Sequence, residues 1–250
     1  MYVMTIDQRG STTDVDRVPE LISGLGGLTS APFERSVGDE LQGVVENAAD
    51  VVDIALHALR DGHWYVGIGI GEVQVAPGGS PREGTGSGFV AARKAVELAK
   101  GAAAQVPLSV VSGSMGRGRD IPPDAKEGAM SSANAQAVLR LMGRVVQQRT
   151  PAQWRVVDRL RALQGGDGRY GGGTHGSQKN VAQELGITEQ SVSRAVLRSG
   201  WPEELAARPA AAMLLEFTHA QILPSEILVP SRAQPPRPVP VRETPTKGHL

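Results

Sequence analysis

Residues 177–197 read SQKNVAQELGITEQSVSRAVL. Two short helices that cross need apolar residues where they pack, a small side chain at the crossing, and a residue that tolerates positive φ between them. The stretch supplies each: Ala182 stands at the crossing, Gly186 at the turn, and Val181, Leu185, Ile187, Val192 and Ala195 fall on internal positions. Thr188 opens the second helix as an N-cap, with Ser191 three residues on. The reading is a helix-turn-helix. Its second helix presents Glu189, Gln190, Ser191, Ser193, Arg194 and Arg198, side chains able to hydrogen-bond base edges and phosphates. With Gln178, Lys179 and Thr188 they form the set expected to touch double-stranded DNA. The alternative for the same stretch is a plain helical hairpin without a ligand.

Outward from the motif, Thr150-Pro151 places a cap and a proline at a helix start, and Trp154, Val157, Leu160 and Leu163 then recur as an apolar stripe. A further helix is predicted over residues 131–148. After the motif, Trp201-Pro202 reads as a break and residues 206–217 as a closing helix. Glycine, 31 of 250 residues, collects in loops such as 113–118 and 165–176. Apolar periodicity lapses between Gly113 and Gly128, which places a linker over 113–130. From residue 222 onward the density of proline excludes a helix or a central strand and predicts an extended or disordered tail over 222–250.

The formal charge of zero hides a division: residues 1–112 sum to −6, 113–130 to 0, 131–221 to +4 and 222–250 to +2. An acidic front and a basic back predict two domains with different partners, the basic one suited to nucleic acid. With no cysteine, the chain has no disulfide framework, thiolate metal site or cysteine nucleophile. No apolar run reaches the ~20 residues of a membrane span, and Met1–Asp7 lacks the pattern of a secretion signal, so no membrane partner and a cytoplasmic, nucleoid-associated location are expected.

The front half alternates short apolar strands with amphipathic helices: a strand over 3–7, a helix over 16–28, a hairpin of 33–37 and 41–45 around Gly38-Asp39-Glu40, a helix over 44–59, a strand over 64–70, a helix over 89–99 and a last strand over 106–111. The order βαββαβ, extended by αβ, is a split βαβ. The expected class is therefore α+β: a ferredoxin-like βαββαβ domain over 1–112 followed by an all-α (winged) helix-turn-helix domain over 131–221. Gly67, Gly69 and Gly71 lie inside a strand, with the next helix some fifteen residues on. Close packing accounts for them better than a dinucleotide fingerprint. The five histidines show no metal spacing and are expected on the surface.

The blocks Ile6-Asp7-Gln8-Arg9-Gly10-Ser11-Thr12, Ser36-Val37-Gly38-Asp39-Glu40-Leu41-Gln42-Gly43, Val66-Gly67-Ile68-Gly69-Ile70-Gly71-Glu72-Val73 and Gly88-Phe89-Val90-Ala91-Ala92-Arg93 resemble the SatD family over roughly residues 1–220. That family pairs such a domain with a helix-turn-helix. More distantly, residues 1–112 resemble the class III nucleotidyl cyclase homology domain. This resemblance implies that Asp7 and Asp39 hold metal, most simply Mg²⁺ with a nucleotide, and that Arg35, Gly38 and Arg93 face the nucleotide. Two carboxylates at adjacent strand ends are a hard oxygen site of the kind Mg²⁺ takes; the alternative is an aspartate ending a strand and another making a turn. Arg35 stands where cyclases carry a base-reading lysine, and Phe89 where they carry an asparagine that donates to the transition state. Phenylalanine cannot donate, so the resemblance implies a degenerate site that binds without turnover.

The expectation is a sequence-specific DNA-binding regulator, a homodimer reading a palindrome, whose front domain dimerises and binds a nucleotide-type ligand. The rival from the enzyme class is an active nucleotidyl cyclase or related triphosphate-processing enzyme targeted to DNA. A third is a purely structural dimeriser.

Overall fold

The computed structural model describes residues 1–101, 106–113, 123–163 and 175–222. The expected tail beyond residue 222, half of the 113–130 linker and most of the 165–176 glycine loop lie outside the described residues.

The described residues combine one five-stranded sheet with eight α-helices, an α+β architecture. Strands β1 (Tyr2–Gln8), β2 (Phe33–Arg35), β3 (Glu40–Val45), β4 (Trp64–Ile70) and β5 (Leu108–Ser112) lie in the order β2-β3-β1-β4-β5. Neighbours among the first four are antiparallel, and β5 joins parallel to β4. Helix α1 (Val18–Leu25) links β1 to β2, α2 (Ala48–Arg60) links β3 to β4, and α3 (Ser87–Gly101) links β4 to β5.

Alternation along β1 assigns its two faces. Tyr2, Met4 and Ile6 enter the main core with α1 and α2, whereas Val3 meets α3. The glycines of β4 bring α3 onto that second face: a Cβ on Gly67 would stand 2.4 Å from the Val96 amide, and one on Gly69 2.2 Å from the Gly88 carbonyl. Ala91, Ala92, Ala95 and Ala99, all buried, complete a thin layer. Small residues on both sides are what let a helix and a strand backbone approach this closely.

Five helices follow: α4 (Pro123–Gln147), α5 (Pro151–Leu163), α6 (His175–Leu185), α7 (Glu189–Arg198) and α8 (Trp201–Ile222). Helix α4 begins inside the segment read as a linker, and α8 begins at Trp201, where a break was expected. Proline lacks an N–H, but the first turn of a helix has no acceptor for one, so Pro202 starts α8 rather than interrupting it. Helix α4 packs against α8, α2 and β5, and α8 also reaches α2 and the sheet. One continuous apolar core results, running from Met4 and Ile68 through Leu139 and Leu215 to Trp154 and Val192. Among the described residues no strand follows Ser112, so a wing has no counterpart there, and no helix is long and apolar enough to cross a membrane.

Candidate functional site

Three pieces of chain meet at one end of the sheet: the end of β1, the β2–β3 turn, and the last turn of α3. Asp7 is buried and lies opposite Glu40 on β3 and Tyr65 on β4. Asp39 precedes Glu40 in the turn that Gly38 makes at φ +60°, and its charge reaches Asp7. Burial raises the Asp7 carboxyl above its usual range, opposed by Lys100 and reinforced by Asp39 and Glu97. Glu40 is likewise raised by burial, with Arg93 and a Ser36 hydrogen bond opposing. The two expected metal carboxylates are thus brought to one place.

Lys100 Nζ sits 2.9 Å from Asp7 Oδ2 and 3.1 Å from Glu97 Oε1. Gly88, Ala92, Val96 and Lys100 follow one another at i+4 along α3, so Lys100 ends the stripe that faces the sheet. A charged residue closing an otherwise small apolar stripe is the one local hint of this contact in the sequence; Glu40 and Glu97 carry none. Helix α3 also ends here, so its carbonyl end adds partial negative charge. Carboxylates of Asp7, Asp39, Glu40 and Glu97 against the cations of Lys100 and Arg93 leave the end acidic, suited to a cation before an anion. The hard oxygen donors fit Mg²⁺, which takes one or two carboxylates and completes its shell with water and phosphate. Such an ion would compete with Lys100 for Asp7. Among the described residues no group of three or more acidic, histidine or cysteine side chains is gathered as a metal cage.

Arg35 donates from Nη1 to the Gly38 carbonyl at 3.0 Å and from Nη2 to both Asp16 oxygens at 2.7 and 2.6 Å. It braces the hairpin, and a base would have to compete with Asp16. Gly38 and Arg93 are exposed, and the Arg93 charge reaches Glu40. Phe89 lies over Gly84, whose Cβ would meet the ring at 2.0 Å.

The second candidate surface lies on α6 and α7. Gly186 adopts φ +63°, and the Ile187 amide closes the turn onto the Ala182 carbonyl at 3.0 Å. Thr188 caps α7, its Oγ1 accepting from the Ser191 amide at 3.1 Å. Val181, Ala182 and Val192 are buried, Leu185 and Ala195 partly so, but Ile187 is 38% exposed. It follows the left-handed glycine and faces out of the turn rather than into the crossing. Glu189, Gln190, Ser191, Arg194 and Arg198 are exposed on α7 with Thr188 before them; Ser193 is half-buried, Lys179 exposed and Gln178 half-buried on α6. Val192 and Val196 anchor the opposite side of α7. A side chain able to read an external partner therefore occupies most outward positions of this helix.

Comparison of the chain with protein-family models, with curated proteins and with solved structures finds no match.

Proposed function

We propose that this chain is a DNA-binding transcriptional regulator of SatD-like organisation, in which a ferredoxin-like front binds a nucleotide with Mg²⁺ and dimerises, and a helix-turn-helix reads duplex DNA. The observation that carries the proposal is the pair α6–α7: a glycine turn, a capped second helix, and an outward face of Glu189, Gln190, Ser191, Arg194 and Arg198. A helix of this kind enters the major groove by its N-terminal residues, and two copies one DNA turn apart, ~34 Å, read a palindrome. The strand order β2-β3-β1-β4 supports the ferredoxin-like reading, since a split βαβ places its fourth strand beside its first. The acidic Asp7 end supports a metal-bridged nucleotide, because a triphosphate alone would be repelled there. Nucleotide alters DNA affinity to the extent that it binds the competent and incompetent dimers differently.

Genomic fragments captured on the purified protein, with and without ATP or GTP plus Mg²⁺ at a stated salt concentration, test this directly. A shared palindrome recovered in both arms, with recovery changing on nucleotide, is the expected outcome; fragments without a motif would overturn the regulator. Arg194→Ala is expected to lose discrimination among sequences, at about 1–3 kcal/mol for the affected base pair. Arg198→Ala should weaken binding to all sequences and lower the salt slope by about one. The charge coupling of Asp39 to Asp7, and of Arg93 to the neighbouring Glu40, also supports the enzyme reading. Cyclic nucleotide production that vanishes in Asp39→Ala would establish it, and Phe89 and the Lys100–Asp7 pair both argue against it.

A further inference from the structure

A second concentration of charge lies where α2, α5 and α8 meet. Arg60, Arg149, Arg161 and Arg208 converge there against Asp53, Asp158 and Glu204. Glu204, 1% exposed, serves three of the four. Its Oε2 lies 2.5 Å from Arg149 Nη2, a contact of charges without hydrogen-bond alignment, and its Oε1 accepts from Arg161 Nη2 at 3.1 Å and Arg208 Nη2 at 2.5 Å. Arg208 also reaches Asp53, and Arg60 binds Asp158 through two hydrogen bonds of 2.8 Å. The guanidiniums stack on indoles: Arg60 stands 3.9 Å over Trp154, Arg149 4.8 Å over the same ring, and Arg161 4.6 Å over Trp201.

Asp61, 3.9 Å from Arg60, adds a fourth carboxylate, so the four guanidiniums are balanced across the cluster as a whole, in surroundings where charge is costly. Arg149 Nη1 is buried with no hydrogen-bond partner. Burial lowers Arg208 to about 10, still charged at neutral pH. Beside the cluster a cavity of about 90 Å³ is lined in part by Asp53, Arg60, Trp154, Arg161, Trp201 and Arg208, three guanidiniums to one carboxylate. It exceeds the ~30 Å³ share of a water and falls short of the ~150 Å³ that admits benzene, a size that suits a compact tetrahedral or planar group. The Arg60 and Arg161 side chains, 29% and 34% exposed, stand open to solvent.

We propose that this cavity binds a compact oxyanion, a phosphate or carboxylate group, taken by the guanidiniums of Arg60 and Arg161 at its mouth and Arg208 deeper in, between the Trp154 and Trp201 rings. Guanidinium forks match the paired oxygens of such groups. The site is distinct from the acidic Asp7 end, whose charge has the opposite sign. Its walls come from α2 on one side and from α5 and α8 on the other, so a bound anion bridges the sheet-bearing body and the helix that precedes the α6–α7 pair.

The test titrates inorganic phosphate, and separately succinate, into the ¹⁵N-labelled full chain at constant ionic strength set with NaCl, following the three indole N–H resonances. Saturable shifts of Trp154 and Trp201 with Trp64 unmoved are expected, and at least tenfold weaker affinity in Arg161→Gln. Saturation by phosphate alone assigns a phosphate group, and by succinate alone a carboxylate. No saturable shift with either anion, shifts matched by NaCl, or unchanged affinity in both Arg161→Gln and Arg60→Gln would overturn the proposal. The wild-type indole shifts decide the matter if a variant fails to fold. Asp39→Ala should leave the titration intact; its loss there would place the anion at the Asp7 end and end the proposal, whereas failed nucleotide binding with an intact titration counts only against the nucleotide reading.

Discussion

At Gly69 a Cβ would stand 2.2 Å from the Gly88 carbonyl oxygen and 2.3 Å from the Ala92 amide nitrogen, both backbone atoms of α3 that no rotamer change can move aside. Gly69→Ala must lift the helix from the sheet, and a loss of roughly 3 kcal/mol is expected in urea denaturation. At Gly101 nothing lies within 4 Å of an added Cβ, so Gly101→Ala should stay within ~0.5 kcal/mol of wild type. His57, expected on the surface, is half-buried, its Nε2 2.7 Å from where a Gly24 Cβ would stand. Burial, ahead of the neighbouring charges, lowers its pKa below 6.5. The unfolded chain takes up a proton near pH 6.5 that the folded chain refuses, so stability present above 6.5 is lost as pH falls from there to the folded value. His219, also lowered by burial, acts with the same sign. Asp7 and Glu40, raised by burial, act with the opposite sign in their own range. The expected outcome is a Tm that declines from pH 7 to 5.5 and declines less in His57→Gln, read by circular dichroism.

Among the elements, β5 stands at the edge of the sheet, where backbone groups invite another strand. Helix α4 covers them by side chains: Gln136 Oε1 accepts from the Val110 amide at 3.0 Å and from Ser109 Oγ at 2.7 Å, and Arg140 Nε donates to the Leu108 carbonyl at 2.7 Å. Spaced four apart, the two residues lie one turn above the other and meet successive outward groups of the strand. Gln136→Ala leaves a buried amide and hydroxyl without their acceptor, at about 1–3 kcal/mol, and should accelerate hydrogen exchange at Val110. None of this pairing is legible in the sequence, because it joins residues far apart in the chain that each look like ordinary surface polar groups. The turn of α6–α7 is legible for the contrary reason. Gly186 and Thr188 satisfy local demands, a left-handed backbone and an orphan amide, that no distant residue can alter. The same division applies at the Asp7 end: the ends of strands and the Gly38 turn follow from local pattern, whereas the Lys100 contact depends on how far α3 travels across the sheet.

Over the whole molecule, helices α4 and α8 embrace, and both pack on α2, so α5–α7 are held between two helices that belong to the core of the sheet. Glu204 is the tie. In the sequence it sits in Trp201-Pro202-Glu203-Glu204, between the expected break and the helix read over 206–217, where an acidic side chain looks like an ordinary solvated group. Folding instead sets it, side chain 0% exposed, against Arg149 before α5, Arg161 within α5 and Arg208 one turn along α8. Replacing it by glutamine keeps the shape but removes the charge on which three guanidiniums depend, and a buried cation without its partner costs ~3–5 kcal/mol. The exposed Arg159–Glu184 pair, 46% and 36% accessible, supplies the comparison: Glu184→Gln should cost under ~1 kcal/mol. Denaturation of the two variants side by side is expected to separate them by several-fold. Equal, small losses would mean that water reaches Glu204 and that the junction between the sheet and the α5–α7 helices is held by apolar packing alone.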